Sequence, residues 1–283
     1  MNSSKSAPAM PARLWVAIGA LLLGAAAMAA FYFYDLPIAQ AVYRPDTVFG
    51  TVLDAAAPTV PPLIALFLLL ATAQSGVSRP AALAEWGFAA IAAWIAVHEC
   101  NKYGALGWPW FVQGIAAALL LGLGAVAARR CRPDPVALRR LTVCAIGMIL
   151  LTLGLTELLK NLWGRQRFCT LPNTDAFTDW LTRNGAPASD AFKSFPSGHT
   201  ANVGSILLLT LFPYAFPALR RHRIALGVLA GAVILLTAFS RMVEGMHYAS
   251  DVTAGAMIAI VCWILSERWL NHIRKRTAPA QQT

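Results

Sequence analysis

Two histidines, an aspartate and a set of cations recur at fixed spacing in three short stretches of this chain. The first reads K-N-L-W-G-R-Q-R from Lys160, the second F-P-S-G-H from Phe195, and the third S-R-M-V-E-G-M-H-Y-A-S-D from Ser240. In the third, His247 and Asp251 stand at i and i+4, which puts two side chains on one face of a helix. A carboxylate that holds one imidazole nitrogen fixes the tautomer and leaves the other nitrogen free as nucleophile or base. Upstream, Arg241 offers a planar fork suited to a phosphate.

The second stretch adds an anion cradle. Ser197 is a good helix N-cap, Pro196 keeps the preceding chain extended, and Gly198 lets backbone approach a ligand closely. Free N–H groups in the first turn of a helix attract anions, and His199 falls in that same turn. From the first stretch come Lys160 and Arg167, separated by Gly164, with Arg165 read as an incidental member. A phosphoryl group in transfer carries charge on three equatorial oxygens, with nucleophile and leaving group roughly in line. Lys160, Arg167, Arg241 and the Ser197 and Gly198 amides supply donors for those oxygens. One histidine then attacks and the other protonates the departing oxygen. Three nearby cations disfavour a metal ion held by His199, His247 and Asp251, so no metal and no cofactor are expected.

Membrane helices must position these residues. The 283 residues are 58% hydrophobic and 13% charged, about half the charge of a typical soluble domain. Eight apolar segments can be read: 14–34, 55–73, 83–97, 110–128, 141–159, 200–216, 224–239 and 252–270. Several approach the roughly 20 residues that cross a bilayer, and lipid demands helices because it offers backbone groups no hydrogen bonds. The expected fold class is all-α, a polytopic bundle of six to eight spans. The segment at 83–97 is short enough to form a shallow hairpin with its successor, and the first segment has a basic flank like that of a signal peptide.

The net charge of +10 follows the positive-inside rule. Threaded from an inside N-terminus, the basic runs at 129–132, 139–140, 220–223 and 274–276 fall inside. Both termini are then cytoplasmic, and all three stretches lie on the opposite face. A nucleic-acid partner is not expected, because the basic runs are dispersed among short loops, and no obligate protein partner is evident. The five cysteines show no zinc-type spacing; Cys100 and Cys169 fall near the outer face, where a disulfide could form. The loop from Phe168 to Phe195 is long enough to suggest a functional cap.

The three stretches together resemble the signature of the type 2 phosphatidic acid phosphatase superfamily, which also includes vanadium haloperoxidases and glucose-6-phosphatases. Its pattern is K-x6-R-P, P-S-G-H and S-R-x5-H-x3-D. This chain matches it in order and internal spacing, except that Phe168 stands where the proline is usual. The resemblance implies that His247 forms a phosphohistidine, that Asp251 orients it, and that His199 is the general acid. It also implies that Lys160, Arg167, Ser197, Gly198 and Arg241 hold the phosphate without metal. The implied substrate is a lipid phosphate or diphosphate in the bilayer: undecaprenyl diphosphate, phosphatidylglycerol phosphate, phosphatidic acid or lipid A. A lipid-to-lipid phosphotransferase would use the same residues, whereas a transporter is disfavoured by the apolar middles of the spans.

The expected organisation is a disordered cytoplasmic N-terminus at 1–13, N-terminal helices at 14–140, a catalytic helical core at 141–270 and a cytoplasmic tail at 271–283. The expected location is a bacterial inner membrane with the site at the periplasmic rim.

Overall fold

A computed structural model describes residues 12–277, and among these the chain is a helical bundle without strands. Helix α1 (Ala12–Val42) is followed by α2 (Val48–Ala56), which passes through a 3-10 turn (Ala57–Thr59) into α3 (Val60–Ala73). Helices α4 (Arg79–Tyr103), α5 (Trp110–Arg130) and α6 (Pro135–Trp163) come next. Beyond the long loop lie α7 (Gly198–Val203), a 3-10 helix (Gly204–Tyr214), α8 (Arg223–Val243) and α9 (Ala249–Thr277). The N-terminal stretch expected to be disordered ends earlier, since Ala12 and Arg13 already belong to α1, and the first residues of the expected tail, 271–277, continue α9. Residues 1–11 and 278–283 lie outside the described residues.

Seven helices among the described residues are long and apolar enough to cross a membrane, including both members of the suspected shallow hairpin. The apolar segment at 200–216 is the exception, because most of it winds as a 3-10 helix. Its tighter coil rises about 2.0 Å per residue against about 1.5 Å for an α-helix. Gly198–Tyr214 therefore extends about 31 Å, near the thickness of a hydrocarbon core. Its ends confirm the reach. At one end Ser197 N–H donates to Asp251 O at 2.9 Å, and at the other Asp134 N–H donates to Ala215 O at 2.9 Å.

Lipid-facing and buried surfaces are cleanly divided. Leu22, Leu23 and Phe33 on α1, Phe88 and Ile91 on α4, Leu119 and Leu123 on α5, and Val228 and Leu235 on α8 are exposed. Apolar patches of that extent belong in bilayer. The α2–α3 span is the most enclosed, with 61% of its apolar window buried. Inside the bundle, polar groups satisfy one another: Thr72 and Thr142 hydroxyls pair at 2.8 Å across α3 and α6, and Trp263 Nε1–H donates to Thr210 Oγ1 at 3.0 Å. This is a multi-pass membrane architecture.

Candidate active site

Three chain reversals bring the motifs together at one end of the bundle. Helix α6 stops at Gly164, whose φ of 57° is the left-handed geometry that caps a helix C-terminus. The chain then turns back under the long loop, with Arg167 N–H donating to Ala191 O at 2.8 Å and Ser194 N–H to Arg165 O at 3.0 Å. Ser197 caps α7, its hydroxyl oxygen accepting from Thr200 N–H at 3.4 Å. At the end of α8 the chain turns through Gly245, and His247 N–H donates to Arg241 O at 3.3 Å.

His247 does not lie within a helix, as its i, i+4 spacing to Asp251 suggested; α9 begins two residues later, at Ala249. Asp251 is the third residue of α9, and its carboxylate reaches back to accept the Tyr248 N–H at 2.8 Å, an arrangement that closes the first turn. His247 Nδ1 instead lies 2.6 Å from the Ser194 carbonyl oxygen, while Asp251 Oδ2 is 3.9 Å away. A carbonyl can only accept, so Nδ1 carries the proton and Nε2 keeps its lone pair. Asp251 acts through Ser194, whose hydroxyl donates to Asp251 Oδ2 at 2.6 Å.

His247 is 3% exposed, buried rather than placed at an open rim. Burial pushes its pKa well below that of free imidazole, and the charges of Arg167, Lys160 and His199 push in the same direction. The ring is therefore neutral at pH 7, as a nucleophile or base must be.

The cations surround it. Lys160 Nζ lies 3.4 Å from Glu157 Oε1, and a Cβ on Gly198 would meet that Nζ at 2.7 Å. Only glycine leaves the lysine beside the α7 turn. Arg167 Nη2 reaches Asp190 Oδ2 of the long loop at 3.3 Å, and its buried Nε has no partner. Arg241 is 1% exposed; it donates to the Gly50 carbonyl at 2.9 Å and to Asp54. Asp54 Oδ1 also lies 3.0 Å from His199 Nε2, although off the line a hydrogen bond requires, so that nitrogen remains unsatisfied. The His199 ring packs edge-on against Tyr103, with centroids 4.8 Å apart. All eight residues predicted from the motifs thus collect at one end of the bundle: the two histidines, five residues around them, and Asp251 behind Ser194.

The comparisons with known proteins fall on this same region. Residues 141–275 match the sequence model of the PAP2 superfamily. That stretch is a PAP2 domain. It is similar to the "Lipid A 1-phosphatase" of Rhizobium johnstonii, 37% identical over 111 residues, which are 38% of this chain and 38% of that protein. The protein of the same name from Rhizobium etli is 37% identical over 103 residues, 36% of this chain and 38% of the relative. "Phosphatidylglycerophosphatase B" of Bacillus subtilis is 26% identical over 84 residues, 29% of this chain and 41% of the relative. The chain therefore spans about two fifths of the length of the curated relatives it matches. No solved structure matches it significantly.

Motif reading missed four residues that complete the surroundings of the PAP2 domain, and two of them lie outside it. Arg165, read as incidental, is fully buried and the most connected cation present. It donates to Asp251 Oδ1 at 2.7 Å, Ser250 Oγ at 2.8 Å, Asp35 Oδ2 at 3.0 Å and Thr178 O at 3.0 Å, and its guanidinium lies 4.0 Å from the Tyr248 ring centroid. Asp35 comes from α1 and Asp54 from α2, while Ser194 precedes the second motif. A lone aspartate at the edge of an apolar segment was the available signal for each of the first two. Phe168, where the superfamily pattern has proline, opens a 3-10 turn and packs edge-on against Tyr43 and Tyr248. The loop that follows is anchored: Trp180 Nε1–H donates to Met28 O of α1 at 2.9 Å.

Proposed function

We propose that this chain is a metal-independent lipid phosphatase that works through a phosphohistidine at His247. The observation that carries the reading is the Nδ1 contact to the Ser194 carbonyl, which leaves a neutral Nε2 lone pair amid Lys160, Arg167 and His199. In the first step Nε2 attacks phosphorus and the bond from phosphorus to the lipid oxygen breaks. His199 delivers a proton to that oxygen. In the second step His199 takes a proton from water, whose oxygen attacks the phosphohistidine and releases phosphate. Lys160, Arg167, Arg241 and the Gly198 amide hold the equatorial oxygens; the Ser197 amide, expected among them, is instead bonded to the Asp251 carbonyl, and Ser197 serves as the cap of α7.

The substrate class is a membrane lipid carrying a terminal phosphate. Relatives named for lipid A 1-phosphate and phosphatidylglycerophosphate support a phosphomonoester on a lipid anchor. The site sits at helix ends, where a headgroup enters while its acyl chains stay in the bilayer. The basic helix ends at the far side favour an inner-membrane orientation with the site facing the periplasm and both termini cytoplasmic.

The deciding experiment measures phosphate release by purified protein in detergent with chelator. The panel is lipid A 1-phosphate, phosphatidylglycerophosphate, phosphatidic acid and undecaprenyl diphosphate, with His247→Ala as control. Release that survives chelator and disappears in the variant supports the reading, and the best substrate names the lipid class. Normal turnover by His247→Ala removes the nucleophile assignment. Release that appears only when an acceptor lipid is added identifies a phosphotransferase.

A further inference from the structure

The end of the bundle opposite the PAP2 site holds a second feature that the hydrolytic chemistry does not use. A groove of about 780 Å³ opens there between α1, α6, α9 and the chain that leads into α8. Five arginines line it: Arg13, Arg140, Arg220, Arg223 and Arg274. One carboxylate faces them, that of Asp134, which caps α6 by accepting the Ala137 N–H at 2.7 Å. Arg13 additionally pairs with the buried Glu267.

The positive-inside rule accounts for arginines at this end of the helices but not for their convergence. Like charges drawn into one groove repel, and the cost falls when an anion sits among them. The first turn of α6 contributes Val136 and Ala137 to the same wall, but its N-terminal charge is already met by the Asp134 carboxylate, which leaves the arginines as the source of positive potential. Asn271 adds a polar group to the lining, and Pro213 and the half-buried Tyr214 close it from the 3-10 segment. Val136 on the wall and Ile224, next in sequence to Arg223, are exposed apolar side chains. A phosphate bearing acyl chains matches that combination, because its headgroup takes the cations while its chains lie along the apolar helix faces.

We propose that this groove binds the headgroup of an anionic phospholipid such as phosphatidylglycerol, at the membrane surface opposite the active site. The lipid is held, not hydrolysed, since none of the nucleophile or acid residues is near. The inference does not depend on the phosphatase reading.

The test uses the full chain in phosphatidylcholine nanodiscs with a photoreactive phosphatidylglycerol, mapping cross-linked peptides. Adducts are expected in residues 134–140, 213–224 and 271–274, competed by unlabelled phosphatidylglycerol but not by excess inorganic phosphate. Arg220→Gln with Arg223→Gln should weaken this labelling roughly 30-fold, from about 1 kcal/mol per arginine near the surface. His247→Ala should leave it unchanged. Displacement by inorganic phosphate identifies a free-anion site and overturns the lipid assignment. Adducts spread evenly over the helix ends, or equal labelling by photoreactive phosphatidylcholine, overturn the site itself. If the double variant fails to fold, the wild-type competition decides alone.

Discussion

Asp251 and His247 are linked through a third residue: the carboxylate receives the Ser194 hydroxyl at 2.6 Å, and the Ser194 carbonyl receives the imidazole Nδ1–H at 2.6 Å. The direct separation of 3.9 Å is too long for a hydrogen bond. The aspartate thus fixes the residue that fixes the ring. Removing the serine hydroxyl leaves its carbonyl in place but loosens the carbonyl's position. Ser194→Ala should lower kcat by up to roughly 100-fold, the scale of a small misplacement at a reacting centre, with KM little changed. Steady-state kinetics checks this, and an unchanged kcat would show that Asp251 has no role through Ser194.

His199 is predicted to matter through the leaving group. His199→Ala should cost roughly 100- to 10,000-fold on a lipid alkyl phosphate, the range of general acid catalysis, and far less on an aryl phosphate whose phenolate leaves unaided. Parallel rates on the two substrate types decide the matter, and equal losses would exclude proton delivery by His199.

His247 should remain neutral far into the acid range. Its folded pKa lies well below 6.5 because burial, Arg167, Lys160 and His199 all disfavour the cation. The unfolded ring titrates near its ordinary value, so the unfolded state binds the extra proton first. His247 therefore destabilises the fold progressively as pH drops below about 6.5, and contributes no such penalty above it. Nitrogen-15 NMR of the labelled imidazole should show an Nδ1-protonated neutral ring from pH 8 to pH 6. A midpoint near 6.5 would contradict the buried, cation-flanked setting.

The Asp35–Arg165 pair ties α1 to the site, with both side chains fully buried. Asp35→Ala leaves Arg165 with one acidic partner fewer at zero exposure, which should cost about 3 kcal/mol and lower the unfolding temperature in detergent. Asp35→Asn, which keeps a hydrogen-bond acceptor, should cost less. Identical unfolding temperatures for wild type and Asp35→Ala would show that the pair is not structural.

Gly198→Ala is expected to separate folding from binding. The new Cβ would meet Lys160 Nζ at 2.7 Å, and the flexible lysine yields by swinging away. Thermal stability should hold, while KM for a lipid phosphate rises about tenfold through loss of one phosphate contact. An unchanged KM would remove Lys160 from the phosphate site.

The apolar segments and the three motifs were legible in the chain because each is a local property. Hydropathy over about 20 residues identifies a span whatever it packs against. The spacing of His247 from Asp251, or of Ser197 from His199, survives any arrangement of the other helices. Contacts between Asp35 and Arg165, 130 positions apart, or Asp54 and Arg241, 187 apart, leave no periodic trace. Only the packing of α1 along α9 and of α2 against α8 makes them neighbours. The same limit explains why Arg165 looked incidental beside Arg167: two residues apart, they point into different surroundings, one onto buried aspartates and the other toward the site. The motifs carry the chemistry proposed for this protein, and the folded bundle decided which carboxylates and carbonyls hold each charged group in place. Burial inside the bundle makes an unpaired charge costly, which is why these charges are held by partners distant in sequence.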